Sequence, residues 1–321
     1  MKPLVVAIAV TLALVVRNVP AADAATWRAP AGLTEAPIWS GGIPDAVPAP
    51  PESAVTAENL VAGKPWIAVF HVSHPTMTVF PARGRNTGVA VVVFPGGGYK
   101  CLAIDLEGTE VCEWLAAHGI TGVLLKYRVP NSGPHWNPDC RCHEDPKDPI
   151  ALEDAQRTVG LVRAHAAEWR VDPHRIGVLG FSAGGHLVAD VSNHWSHRAY
   201  PRVDAADDSS CRPDFAVACY PGHLTEHTKA TFELNPRVPV TKETPPTFLV
   251  QAVDDPVDEV RNSIVYELAL WKVGVPVELH LFAHGGHAFG LRRTQEPITR
   301  WPDLMREWLE SIGMLGRPDG R

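Results

Sequence analysis

Five residues, Gly180-Phe181-Ser182-Ala183-Gly184, stand between an apolar, β-branched run ending at Leu179 and a helix-competent run beginning at Gly185. A chain that passes from strand to helix through so few residues makes a turn too tight for bulk on either side of its centre. Small residues occupy 180, 183 and 184 accordingly. Such a strand–turn–helix is a nucleophile elbow, which holds the side chain of Ser182 out of the sheet. The flanking strand and helix carry the signal more than the five letters do.

The rest of the chain repeats that alternation. Apolar or alternating runs predict strands at 76–80, 88–94 and 122–127. Helices are expected at 109–118 and 148–169; in the second, Leu152, Ala155, Val159, Val162 and Ala166 recur at spacings of three and four. Strands and helices then alternate through 175, 215, 248, 263 and 277 to a last helix near 301–312. This pattern implies a parallel sheet covered on both faces. Residues 25–65, rich in Pro, Ala and Gly, read as an extended lead-in with little regular structure, and 66–321 as one catalytic domain. The stretch 129–148 carries four prolines and reads as a loop suited to an active-site wall or lid.

A nucleophilic serine needs a base, and the base needs an orienting carboxylate. Asp254 and Asp255 follow the strand-like run 247–253, and His284 and His287 follow the run 277–282. In an open parallel sheet reacting groups collect beyond the carboxyl ends of strands, and all of these candidates obey that rule. Gly285 and Gly286 let the last loop fold back over the elbow, which favours His287 as the base and leaves His284 a partly exposed strand-end histidine. The apolar run 89–94 ends in Pro95-Gly96-Gly97-Gly98-Tyr99, where three glycines let backbone amides turn toward a ligand.

These segments resemble the α/β-hydrolase superfamily, in the branch of small esterases related to hormone-sensitive-lipase-like and acetyl-xylan-esterase-like enzymes. Within it the chain is similar to a group of secreted bacterial hydrolases. The shared segments are Val72–Phe80, Phe94–Tyr99, Glu107-Gly108, Lys126–Pro130, Arg175–His186, Arg212–Phe215, Pro245–Phe248, Asp254–Val257 and Gly285–Gly290. The resemblance implies an α/β-hydrolase fold, a three-layer sandwich with a mostly parallel central sheet, and Ser182, Asp255 and His287 as catalytic residues. Asp255 is preferred over Asp254 because the family's acid stands directly before a Pro-Val step; Asp254 is left to cap the turn. The glycine loop resembles the HGGG loop of lipases and esterases with Pro95 in place of the histidine, implying Gly97, Gly98 and Ala183 as oxyanion donors. Tyr99, Glu107 and Trp136 are candidate substrate contacts. Glu107 reads equally as an acid at a helix N-terminus, and Trp136 equally as a packing anchor. The implied reaction is removal of a short acyl group, acetyl first, from carbohydrate through an acyl-enzyme, with no metal or organic cofactor. The rivals are a serine peptidase of prolyl-oligopeptidase-like type and a non-catalytic carbohydrate-binding relative. A glycosidase using Glu107 and Asp255 would leave Ser182 and His287 unexplained.

With 45% hydrophobic and 20% charged residues the 321-residue chain has the composition of a globular domain. A net charge of −7 without a basic stripe argues against a nucleic-acid partner. Met1-Lys2-Pro3, the apolar run 4–16 and Ala22-Asp23-Ala24 have the layout of a cleaved secretory leader over 1–24, short for a membrane span and not expected to insert stably, with an uncleaved anchor as the alternative reading that Arg17 leaves. Export to the periplasm or medium makes disulfides the expectation for the six cysteines, Cys101, Cys112, Cys140, Cys142, Cys211 and Cys219. Cys211 and Cys219 are the pair singled out for a bridge. Cys140-Arg141-Cys142-His143, flanked by Asp139 and Asp145, has no standard zinc spacing, so a tied loop is favoured over a metal.

Overall fold

The computed structural model describes residues 26–130, 136–137, 142–143, 150–225 and 232–316. The expected leader lies outside the described residues, as do Cys140 and most of the 129–148 loop. The lead-in contains strands β1 (Glu35–Pro37) and β2 (Ser53–Thr56), followed by β3 (Ile67–Phe70), β4 (Thr76–Phe80), β5 (Ala90–Phe94) and β6 (Cys101–Ala103). A π-helical turn, Asp105–Thr109, runs into helix α1 (Glu110–Ala117), and β7 (Thr121–Lys126) follows. A small ribbon, β8 (Trp136–Asn137) and β9 (Cys142–His143), precedes α2 (Ile150–Ala164), β10 (Ile176–Phe181) and α3 (Ala183–Asn193). Then come β11 (Phe215–Cys219), β12 (Thr247–Ala252), α4 (Arg261–Lys272), β13 (Val277–Phe282) and α5 (Trp301–Ser311).

Eight strands form the central sheet in the order β1-β4-β7-β5-β10-β11-β12-β13. Pairing is parallel from β7 onward and antiparallel only where β4 meets β1 and β7. The sheet interior explains the continuous apolar runs: every residue of β5, β7, β10, β11 and β12 is buried. From β5 the chain steps outward through α1 to β7, then returns through α2 to β10 on the other side of β5. Right-handed crossovers therefore put α1 on one face and α2, α3 and α4 on the other. The reversal opens a crevice between the carboxyl ends of β5 and β10, where the glycine loop and Ser182 meet.

The lead-in is more structured than its composition suggests. β1 pairs with β4 at the edge of the main sheet, and β2 joins a second sheet, β2-β3-β6. Trp27 and the adjacent pair Ile38 and Trp39 enter the core, too few to form a periodic pattern. The helix expected to run to 169 ends at Ala164, where the chain breaks into successive turns up to Val171. Its apolar stripe is buried apart from the half-buried Leu152, and so is much of its polar side: Glu153, Asp154, Gln156, Arg157 and Thr158 are all closed off.

Those polar groups hold the lead-in against the helix. The Arg128 guanidinium, 1% exposed, binds Asp154 at 2.9 Å and Glu153 at 2.7 Å, and it donates to the carbonyls of Pro44 and Ile150. Trp39 Nε1 donates to the same Asp154 at 2.9 Å. Burial pushes the Glu153 carboxyl up to about 7, against the pull of Arg128. One turn further along, Arg157 donates to Asp204, Asp207 and the Ile38 carbonyl.

The bridge expected between Cys211 and Cys219 does not form. Both thiols are free and buried, as are Cys101 and Cys112. Cys219 closes β11, buried in the central sheet, while Cys211 lies in the loop before that strand. Cys211 Sγ instead donates to the Trp195 carbonyl at 3.2 Å.

Two outcomes are expected. Arg128→Met strands two buried carboxylates and lowers the unfolding free energy by about 3–5 kcal/mol in denaturant titration. Iodoacetamide leaves Cys101, Cys112, Cys211 and Cys219 unlabelled in the native protein, and mass mapping finds all four labelled after unfolding without reductant.

Candidate active site

Ser182 follows the last residue of β10 and precedes the first of α3, with φ 52° and ψ −119°, a conformation rarely adopted by a residue with a side chain. The turn exists because its neighbours lack side chains. A Cβ on Gly180 would lie 2.1 Å from the Gly184 carbonyl oxygen, and one on Gly184 would lie 2.1 Å from that of Phe94. Ser182 N donates to the Cys219 carbonyl, and His186 N donates to the Ser182 carbonyl to start the helix.

Two loops bring the partners. After β12, Asp255 Oδ1 accepts the N–H groups of Val257 and Asp258, a self-capped turn that fixes the carboxylate. After β13, Gly285 and Gly286 have φ of 157° and 62°, and the loop carries His287 back over the sheet end. His287 Nδ1 lies 2.8 Å from Asp255 Oδ2, and His287 Nε2 lies 3.0 Å from Ser182 Oγ. Ser182, His287 and Asp255 thus form one hydrogen-bonded chain, while Asp254 and His284 do not join it. Asp254 accepts from Gly286 N at 2.9 Å and pairs with the exposed His284 at 3.1 Å, clamping the two loops from outside. The Gly286 N–H above all holds the Asp254 carboxyl below the usual range.

Burial disfavours a charged His287. The Asp255 hydrogen bond, with the charges of Asp258, Asp255 and Glu107, outweighs it and raises the imidazole pKa above the ordinary value. Asp258 was not singled out in the sequence. Its Oδ2 accepts from Ser182 Oγ at 3.3 Å and stands 3.8 Å from His287 Nε2. The available signal was its place in the same strand-end loop as Asp255. Burial raises the Asp258 carboxyl, opposed by the nearby His287 and His223.

Glu107 lies beneath the site, 2% exposed. Its Oε2 accepts from Gly96 N at 2.8 Å and its Oε1 from the Tyr220 hydroxyl at 2.7 Å. Both oxygens are engaged, so Glu107 supports the glycine loop from behind instead of facing an open cleft, and it does not pair with Asp255 across a glycosidic bond. Burial lifts its pKa, while Tyr220, His287 and Gly96 pull it back. Tyr220, also missed in the sequence, sits at the end of β11 with φ 38°. Its ring packs 4.9 Å from His287, and its hydroxyl accepts from Gly290 N at 3.2 Å.

In the glycine loop Gly97 has φ 134°, and a Cβ there would lie 2.1 Å from the Cys101 carbonyl oxygen; Gly98 has φ 63°. Gly96 N is committed to Glu107, leaving Gly97 and Gly98 as the loop amides beyond it, across from Ala183 at the start of α3. Tyr99 is buried, with its hydroxyl 2.7 Å from His186 Nδ1 and its ring against Tyr127 and His223. Its hydroxyl and ring are thus both engaged by neighbouring side chains. Trp136 is in the β8–β9 ribbon, and its side chain lies outside the described residues. Among the described residues no group of His, Cys, Asp and Glu is arranged to hold a metal ion, and no helix is long and apolar enough to cross a membrane.

The BD-FAE family model matches residues 134–199, which include the elbow. An acetyl ester-xyloside bifunctional hydrolase from Caldicellulosiruptor lactoaceticus is similar in structure, with a TM-score of 0.69 and 34% identity over 88% of this chain and 97% of that one. An acetylxylan esterase of Xylanibacter ruminicola is 27% identical over 247 residues, 70% of this chain and 46% of the relative. An endo-1,4-β-xylanase B of Butyrivibrio fibrisolvens is 28% identical over 215 residues, 61% of this chain and 32% of the relative. The chain thus spans less than half the length of these two curated relatives. Together with the mostly parallel eight-stranded sheet, these likenesses settle the family: the chain belongs to the α/β-hydrolase superfamily, in its branch of esterases resembling the acetylxylan esterases.

Proposed function

We propose that this protein hydrolyses carboxylic esters through an acyl-enzyme and that its substrates are short-chain acyl esters of carbohydrate, acetyl esters first. The observation that carries the reading is the unbroken chain Ser182 Oγ, His287 Nε2, His287 Nδ1, Asp255 Oδ2 at the crevice beside the glycine loop. In this reading Ser182 Oγ attacks the ester carbonyl while His287 takes its proton. Asp255 keeps the other imidazole nitrogen protonated and stabilises the imidazolium. The carbonyl oxygen becomes an oxyanion received by the amides of Gly97, Gly98 and Ala183. His287 returns the proton to the departing alcohol, leaving Ser182 acylated. Water then attacks with the same base, releasing the acid and restoring the serine. The strained backbone at Ser182 supports the assignment, because such conformations persist where the surrounding structure enforces them for function.

The acetyl preference is supported by the names of the two relatives that act on acetyl esters. In the same reading the apolar leader directs the chain out of the cytoplasm, where polymeric carbohydrate is encountered.

Ser182→Ala is expected to reduce kcat on p-nitrophenyl acetate on the order of 10^4- to 10^6-fold, with an unchanged circular dichroism spectrum. Full turnover by the purified variant rejects the mechanism. Faster turnover of octanoyl than of acetyl esters rejects the chain-length assignment.

The pH profile follows from His287. The base works as neutral imidazole, and its carboxylate neighbours favour the protonated form, so activity is lost as pH falls through a raised pKa. The acid limb of kcat/KM is expected above the ordinary histidine value of about 6.5. A limb below that value contradicts the assignment of His287 as base.

A further inference from the structure

His287 is bracketed by two carboxylates, one at each ring nitrogen. Asp255 holds Nδ1, while Asp258 Oδ2 stands 3.8 Å from Nε2 and 3.3 Å from Ser182 Oγ. The surroundings press Asp258 into this place. Its N–H donates to Asp255 Oδ1, and its carbonyl accepts from Gln251 Nε2, which is itself fixed by the Ser263 hydroxyl on Gln251 Oε1. A Cβ on Gly222 would lie 2.5 Å from Asp258 Oδ1. Among the described residues no Lys or Arg comes within ion-pair distance of this carboxylate; the charged or titratable groups acting on it are His287, His223 and Asp255. The side chain is 17% exposed.

The position has a chemical consequence. To take its proton, the departing alcohol oxygen must come within about 2.6–3.2 Å of His287 Nε2. Oδ2 lies beside that same nitrogen, so it borders the alcohol half of the substrate. An ionised carboxylate only accepts hydrogen bonds. A simple alkyl alcohol offers it nothing, whereas a hydroxyl on the carbon next to the ester offers a donor at about the right distance.

We propose that Asp258 is a specificity-determining residue that accepts a hydrogen bond from a hydroxyl vicinal to the scissile ester, so that monoesters of vicinal diols, sugars among them, are preferred over esters of simple alcohols. The proposal rests on the Ser182–His287–Asp255 reading above. A vicinal hydroxyl also takes over the Oδ2 acceptor that otherwise competes with His287 for the Ser182 proton, so its benefit falls on kcat as well as on KM.

The test compares kcat/KM for trans-2-acetoxycyclohexanol and cyclohexyl acetate in the wild type, Asp258→Val and Gly222→Ala. The second variant keeps the carboxylate but displaces it. Because each ratio is taken within one sample, an inactive fraction does not move it. The wild type is expected to favour the hydroxy ester by roughly tenfold to a hundredfold, the size of a hydrogen bond to a charged group. Both variants are expected to bring the ratio within a few-fold of one, with the loss divided between kcat and KM. A wild-type ratio near one, or variants that retain the wild-type ratio, overturns the role of Asp258 while leaving the esterase reading in place. Failure of the wild type to hydrolyse either acetate or p-nitrophenyl acetate overturns the esterase reading and this proposal with it.

Discussion

The contact on which this architecture turns is between two backbones. The first turn of α3 runs against the end of β5 so closely that Gly184 has no room for a Cβ beside the Phe94 carbonyl. That approach closes the elbow, fixes the positive φ of Ser182 and brings the glycine loop within reach of the nucleophile. It is possible because β5 and β10 are parallel neighbours at the point where strand order reverses, so both chains leave the sheet in the same direction. A bulkier residue at 184 would have to separate strand end from helix, and serine and glycine loop would part together.

Behind this contact a single buried carboxylate unites three chain segments. Glu107 holds Gly96 through one oxygen and Tyr220 through the other, and Tyr220 in turn holds Gly290 and packs on His287. The loops after β5, β11 and β13 are therefore registered to one another below the reacting groups. The same burial that raises the Glu107 pKa makes its two donors necessary, since an unsatisfied carboxyl there would be costly. Its negative charge also reaches His287, so this support is electrostatic as well as steric.

The sheet was legible because its central strands are closed on both faces and so read as continuous apolar runs; their alternation with helices implied a parallel sheet covered on both faces, and the α/β-hydrolase fold came from the resemblance of the motifs. The proximity of Ser182, Asp255 and His287 was legible because each stands just past a strand end, where a parallel sheet gathers its loops. Other features were written in spacing too short or too isolated to read. Trp27 and the adjacent pair Ile38 and Trp39 join the core without a repeating pattern. Asp258 matters only because the turn at Asp255 swings it toward Ser182, and Tyr220 only because a positive φ points it under the histidine loop. Glu107 had the look of a helix-end acid, but its role depends on what lies across the crevice. Among the described residues the cysteines misled, because export suggested bridges while Cys101, Cys112, Cys211 and Cys219 are all buried as free thiols.

The π-helical turn at Asp105–Thr109 carries a consequence for how this chain can vary. A π-turn holds one residue more than the α-turn it replaces. Deleting one residue there would restore regular winding and rotate everything before it by about 100° relative to α1. The hydrophobic side of α1 would still meet β7, yet Glu107 would swing away from Gly96. The length of this short segment is thus dictated by the chemistry it underpins and not by the sheet it covers, a constraint it shares with the glycine loop at 95–99.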